Sequence, residues 1–204
     1  FVDPASTNLQ NLTKKEGLKD PLYRVRDCFI PDPGMTLMAS DLDKAEAVIV
    51  AFESRDWDFY QKLIDGYDTH TWIWWPEIMR ELWDPAIAGG VRWLENCFGF
   101  RRRFFNPDLH KLDKEAVNFK PQSTVANIID EVMIETSKWE REGEFEFLLQ
   151  VHDEVLFQVR DDLVSHYAPR LRACMETPFM SQGREVYVTA GLEVSKRWSE
   201  LEEW

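Results

Sequence analysis

Between Phe147 and Phe157 the chain reads Phe-Leu-Leu-Gln-Val-His-Asp-Glu-Val-Leu-Phe: two apolar runs of strand length joined at a polar His152-Asp153-Glu154 tip. Strand, tight turn and strand is the pattern of a β-hairpin. Two adjacent carboxylates at such a tip are costly beside apolar strands unless positive charge sits with them. A hard divalent cation such as Mg²⁺ meets that need, because it prefers carboxylate oxygen. A hairpin with acids at its tip therefore asks for a sheet to carry it and a second acidic element beside it.

The rest of the chain supplies elements of both kinds. Residues 1–20 carry Pro4, Asn8, Asn11 and Gly17 without a clear period and read as a loop or irregular arm. Pro31-Asp32-Pro33-Gly34 is a turn, after which Met35 to Ser40 reads as a buried strand leading to Asp41. Ala45, Val48, Ile49 and Phe52 recur at helical spacing, and Trp57 to Ile64 is a second short helix with Gly66 as its stop. Residues 71–76 fit neither neighbour. Helical spacing resumes after Pro76, at Ile78, Met79 and Leu82, and Gly89-Gly90 interrupts the next segment. Asn96 to Pro107 reads as a twisted hairpin. Pro121 to Trp139 is the clearest helix, with Pro121 in its first turn. The hairpin strands fall at Phe145–Val151 and Val155–Val159. Asp161-Asp162 opens a helix through Met175, where early acids suit the positive end of the dipole. Val186–Ala190 reads as a further strand, and Ser195 to Trp204 as a short acidic helix. Strands flanked by helices around a central hairpin make an α+β fold, an antiparallel sheet covered on one face by helices.

A length of 204 residues suits one domain, or one and a small appendage, and 44% hydrophobic residues are enough for a real core. The nine Trp and 13 Phe read as core formers first and base-stacking surfaces second. Cys28, Cys97 and Cys174 lie far apart, which indicates neither a disulfide framework nor a zinc site and fits a reducing compartment. No apolar run approaches membrane-spanning length and no signal-peptide pattern is present. A start at Phe1 suggests a fragment or a processed chain. The net charge of −13 argues at first sight against nucleic acid, whose binding needs Lys and Arg. The positive residues cluster, however, at Arg101-Arg102-Arg103 and at Lys14, Lys15, Lys19, Arg24 and Arg26. Each cluster alone reads as a solvated charged face.

The tip Gln150-Val151-His152-Asp153-Glu154 resembles motif C of the family A DNA polymerases, the bacterial DNA polymerase I type, where that string sits on a hairpin of the palm domain. Ser40-Asp41-Leu42-Asp43-Lys44-Ala45-Glu46 resembles motif A, an apolar strand ending in Asp-Tyr-Ser-Gln-Ile-Glu, with Leu42, Asp43 and Lys44 departing from the usual Tyr, Ser and Gln. Taken by itself, Asp41 reads equally as a cap of the helix that follows. Thr7-Asn8-Leu9-Gln10-Asn11-Leu12 resembles the family's template–primer loop. Asp68-Thr69-His70 resembles its Asp-Ile-His, and Phe98-Gly99-Phe100-Arg101-Arg102-Arg103 its Phe-Gly-Arg-Arg. Asn118-Phe119-Lys120-Pro121-Gln122-Ser123-Thr124 resembles Asn-Ala-Pro-Met-Gln-Gly-Thr. The matches run in family order over most of residues 7–160.

The resemblance implies a palm with a catalytic hairpin, acting on primer–template DNA and a deoxynucleoside triphosphate. It implies two Mg²⁺ ions, with Mn²⁺ as a substitute, held by Asp41, Asp153 and the Leu42 carbonyl, with Glu154 completing the catalytic set. Two-metal phosphoryl transfer needs such carboxylates from separate elements. Glu46 and His70 would meet the nucleotide. Asn8, Gln10, Asn11, Arg101, Arg102, Asn118, Gln122 and His152 would meet the nucleic acid. The family's motif B, Arg-x₃-Lys-x₇-Tyr-Gly on a fingers helix, has no counterpart here, and only 27 residues separate His70 from Phe98. This implies residues 1–72 as the N-terminal palm part with motif A, 73–204 as the C-terminal part with motif C, and a jump across the fingers at about 71–74. The thumb, earlier in family order, is expected to be absent too. Synthesis would then be impaired, and basic surface carried by the absent parts would account for the acidic balance. A cytoplasmic protein of bacterial or phage type is expected, with no membrane partner and with homodimers forming through exposed palm surfaces. Two other readings share the acids: a non-catalytic nucleic-acid-binding or scaffold module derived from a palm, and a two-metal nuclease or phosphatase.

Overall fold

A computed structural model of the chain describes residues 25–65, 93–105 and 109–204. Its main sheet is built on two strands without a polar face. β1 (Met35–Leu42) and a later strand, β5 (Glu154–Arg160), are buried over most of their length. A short, continuous apolar run of this kind belongs in a sheet interior. The order is accordingly β4-β5-β1-β8-β9, where β4 is Phe145–Val151, β8 Ala190–Ser195 and β9 Glu202–Glu203. All four pairings are antiparallel. β4 carries a bulge between Phe147 and Leu149, which leaves Leu148 without a place in the ladder.

The described residues divide into two compact units. The first takes in 25–42, 131–176 and 190–204 and holds the whole main sheet. The registers sort its side chains. Met38, Phe157 and Phe145 lie on one face, where the Phe145 ring stacks on Phe157 at 4.7 Å and meets Tyr167 at 4.6 Å. Tyr167 belongs to the helix Val164–Met175 (α4 in chain order), whose Tyr167, Ala168, Leu171 and Met175 are buried at helical spacing. Leu37, Ala39, Leu156 and Val151 lie on the opposite face and pack with Trp198. Among the described residues, two 3₁₀ turns, Val25–Cys28 and Trp198–Glu200, lie over that face.

The second unit takes in 43–65, 93–105, 109–130 and 177–189. It holds α1 (Ala45–Glu53), α2 (Trp57–Ile64), the hairpin of β2 (Trp93–Glu95) and β3 (Arg101–Arg103), and the hairpin of β6 (Phe179–Ser181) and β7 (Arg184–Val186). It also holds most of α3 (Leu109–Ser137). Val50, Leu94, Phe104, Leu112, Ala116 and Phe119 form its core. Lys120 and Glu53 meet there at 3.3 Å with side chains only 6% exposed. Ser181 and Gln182 both donate to the same carboxylate, at 2.5 and 3.3 Å.

Sequence expectation and structure agree on α+β with an antiparallel sheet, on β1, on both helices after it, and on the β4–β5 hairpin. They differ elsewhere. α3 begins at Leu109, so Pro121 lies inside it instead of opening it. An interior proline costs about 3 kcal/mol. The buried Leu112, Ala116 and Phe119, upstream at i, i+4 and i+7, offset that cost. The Arg-rich hairpin spans 93–103 rather than 96–107, with Gly99 at φ 82° in its loop. Val186 ends β7 and Ala190 starts β8, so the expected strand between them divides into two pairings. The C-terminal residues form a 3₁₀ turn and β9, not an acidic helix, because the buried Trp198 anchors the turn and Glu202 pairs with Val194. Arg26, read as part of a solvated face, is 7% exposed. Gly66, residues 71–76, Ile78, Met79, Leu82 and Gly89-Gly90 lie outside the described residues.

Candidate active site

β1 and β5 are central strands in antiparallel register, and Asp41 near the end of β1 pairs with Glu154 at the start of β5. Val151 of β4 also pairs with Glu154, which leaves a two-residue connection, His152-Asp153, at the tip. His152 takes φ 55°, a left-handed conformation that His tolerates better than most residues, and its carbonyl accepts a 2.6 Å hydrogen bond from Gln150 Nε2. Directly paired Cα atoms lie about 4.5–5.5 Å apart, and successive ones about 3.8 Å, so the Asp41 and Asp153 backbones lie within about 9 Å. An aspartate near the end of β1 and one in the β4–β5 turn therefore lie at one end of the sheet. Asp41 and Asp153 are each partly exposed there. Among the described residues no cluster of three or more His, Cys, Asp or Glu is placed to hold a metal. Mg²⁺ typically takes one or two carboxylates and completes its shell with water and substrate phosphate, so a two-aspartate set suits it.

Glu154 behaves differently from its neighbour. Its side chain is 9% exposed. Oε1 accepts a 2.9 Å hydrogen bond from Trp198 Nε1–H, and Oε2 lies 3.9 Å from Arg26 Nη1. The Arg26 guanidinium stacks over the Trp198 ring at 4.1 Å, and Phe29 meets that ring edge-on at 5.3 Å. Sequence reasoning missed Arg26 and Trp198. They stand 128 and 44 residues from Glu154, and no local pattern marks either one.

Asp41 is not the cap of the following helix. Lys44 occupies that position, in left-handed conformation and without a side-chain capping bond. The Leu42 carbonyl lies at the last residue of β1, whose partner is Ala190. Glu46 sits exposed in the first turn of α1. Asn118 and Gln122 are both exposed on α3 and four residues apart, hence on one helical face. Arg101 pairs with Glu95 and lies over the Trp93 ring at 4.8 Å. Arg102 turns to Glu115 at 3.0 Å and to the Phe104 ring. Asn96, also unforeseen, organises that hairpin. It accepts from the backbone N–H groups of Phe98 and Phe100 and donates to Ser123 and Asn127. Asn8, Gln10, Asn11 and His70 lie outside the described residues.

The fold is similar to the POL domain of Pol1 from M. smegmatis, solved in complex with DNA primer-template and dNTP. The TM-score is 0.68 at 20% identity, covering 94% of this chain and 44% of that one. A central antiparallel sheet with acids at a hairpin tip is thus the palm-like fold of a polymerase domain. A DNA polymerase I of Pseudomonas aeruginosa is 30% identical over 127 residues, 56% of this chain and 13% of its own length. Residues 95–200, just over half of the chain, match DNA polymerase family A, and the chain belongs to that family. It spans a minor part of the length of both relatives. No described helix is long and apolar enough to cross a membrane.

Proposed function

We propose that this chain is the palm of a DNA-directed DNA polymerase, joining a primer 3′-hydroxyl to the α-phosphate of a deoxynucleoside triphosphate. The register that puts Asp41 opposite Glu154, one residue from Asp153, carries the reading. Asp41 and Asp153, with the Leu42 carbonyl, would hold two Mg²⁺. When bound, such ions supply Lewis acidity toward the phosphoryl oxygens and favour ionisation of the attacking hydroxyl. Asp41 sits near the end of β1 and Asp153 in the turn just before β5, so both are carried by the sheet. Glu46, at the start of α1, faces the nucleotide sugar, with His70 near the triphosphate. His152 meets the primer end, Asn118 and Gln122 the duplex, and Arg101 the phosphate backbone. Asn8, Gln10 and Asn11 reach the template–primer.

The two palm parts, 1–72 and 73–204, join where the fingers stand in the family. The sequence contains no Arg-x₃-Lys-x₇-Tyr-Gly, so the cations that grip the triphosphate are missing from it. Losing one preorganised charge contact typically costs about 10²–10³ in rate, and synthesis by the chain alone is expected to be slow and distributive. A labelled primer–template incubated with dNTP and Mg²⁺ tests both points. The expected result is weak, template-dependent extension that Asp153→Asn and Asp41→Asn each lower by a further ~10²–10³. Shortening of the primer with Mn²⁺ would favour a nuclease. DNA binding without metal-linked change or extension would favour a scaffold. Rapid processive synthesis would overturn the expected impairment.

A further inference from the structure

We propose that Glu154, although adjacent to Asp153, is a positioning residue held by Trp198 and Arg26, and that the C-terminal 3₁₀ turn thereby sets the geometry of the metal-binding tip. This rests on the two-aspartate reading of the site given above. Three observations carry it. Glu154 is buried and its Oε1 is taken by the Trp198 indole N–H at 2.9 Å. Arg26 approaches the other oxygen at 3.9 Å while stacked on the same indole at 4.1 Å. The turn that carries Trp198 is itself fixed to the segment before β1: Trp198 N–H donates to the Phe29 carbonyl at 3.1 Å, and Arg197 Nη1 to the Asp27 carbonyl at 2.6 Å.

Electrostatics explain why such a clasp is useful. Asp41 and Glu154 are directly cross-strand, and like charges opposite one another repel. An indole N–H and a nearby guanidinium give the Glu154 charge partners other than Asp41. The clasp also holds the first residue of β5, so the adjacent Asp153 is presented by a tip that cannot swing. Partners outside a metal's own ligands act in this way, and losing one costs about 10–100-fold in metal affinity.

Mn²⁺ titration of the whole chain, read by the electron paramagnetic resonance of the free ion well below the melting temperature, tests the assignment. Glu154→Gln keeps an acceptor for Trp198 and should bind the same number of ions with affinity within about threefold of the parent. Glu154→Ala and Trp198→Phe, which remove the bond from either side, should each weaken binding about 10–100-fold. The double variant should be no weaker than the worse single one. A role in folding alone would lower the melting temperature and leave the affinity of the folded chain unchanged, which would overturn the proposal. Loss of one ion in Glu154→Gln would also overturn it, since Glu154 would then be a ligand. Should Trp198→Phe fail to fold, the Gln and Ala variants at 154 decide alone. Absence of saturable Mn²⁺ binding in the parent chain would instead remove the polymerase reading on which the proposal stands.

Discussion

Each unit holds a glutamate whose side chain is under a tenth exposed, Glu53 in one and Glu154 in the other, and the two are satisfied in different ways. Glu53 in the second unit receives Lys120 at 3.3 Å together with Ser181 and Gln182. It is a closed ion pair that ties α1, α3 and the β6–β7 hairpin together. Glu154 in the first unit takes its short bond from a neutral indole, and its cation stands at 3.9 Å. The first arrangement spends its charge on cohesion within the unit. The second keeps a charge beside Asp153 and opposite Asp41, the two acids of the proposed metal site. A buried acid beside an Asp is therefore no guide to chemistry until its partners are known.

The largest expected effect comes from breaking the closed pair. Lys120→Ala leaves Glu53 buried without its cation, and urea denaturation should show a loss of about 3–5 kcal/mol. Replacing both partners by apolar residues of similar volume should be close to neutral. If Lys120→Ala costs under ~1 kcal/mol, within the range of exposed pairs, the two glutamates are not different in kind.

Acid titration extends the comparison to an exposed carboxylate. Asp161 accepts from Lys196 and from Thr36, and these bonds, the Lys196 one foremost, hold its carboxyl below the usual range. A depressed folded-state value means that this contribution is fully present above the unfolded pKa and is lost as pH falls through the folded one. Lys196→Ala should therefore lower stability at neutral pH and flatten its decline in acid. Chemical denaturation from pH 7 down to 3 measures both, and an unchanged slope would show that the pair does nothing.

Thiol labelling gives the smallest and most local readout. Cys28 is exposed. Burial pushes the Cys97 thiol up, with Glu53 adding to the shift, and burial pushes the Cys174 thiol up to about 11. The thiolate is the reactive form, so at pH 8 iodoacetamide should modify Cys28 first. Loosening the second unit by Lys120→Ala should speed labelling at Cys97 and leave Cys174 slow. Mass spectrometry of the peptides distinguishes the sites, and equal acceleration at both would show that the two units open together.

Much of this was legible in the sequence. The hairpin and β1 were, because central strands are continuous apolar runs and their ends carry the acids. The two helices after β1 were as well, since their buried positions follow a helical period. The β2–β3 hairpin was legible as a hairpin but not in its bounds, and the β6–β7 hairpin was not legible, because three-residue strands are too short to display a period. Pro121 hid the first turns of α3, since a proline ordinarily marks a helix start and here is outweighed by the core around Leu112, Ala116 and Phe119. Arg26 and Trp198 were hidden for another reason. Their importance comes from tertiary contact across 128 and 44 positions, and nothing local distinguishes them from a surface cation and a tail aromatic.

The outer strands bear on how the protein behaves in a tube. Among the described residues β4 and β9 are the rims of the main sheet, and a rim with unpaired backbone groups invites a neighbouring chain to add on. Glu202 and Glu203 protect the short β9 rim by repulsion. The longer β4 rim shows Phe147 and Leu148, and only the bulge breaks its regular spacing. Clumping on storage near neutral pH should therefore begin along β4, and acid that neutralises Glu202 and Glu203 should open β9 as a second rim, since its guard is electrostatic while the bulge in β4 is a backbone conformation that carries no titrating group.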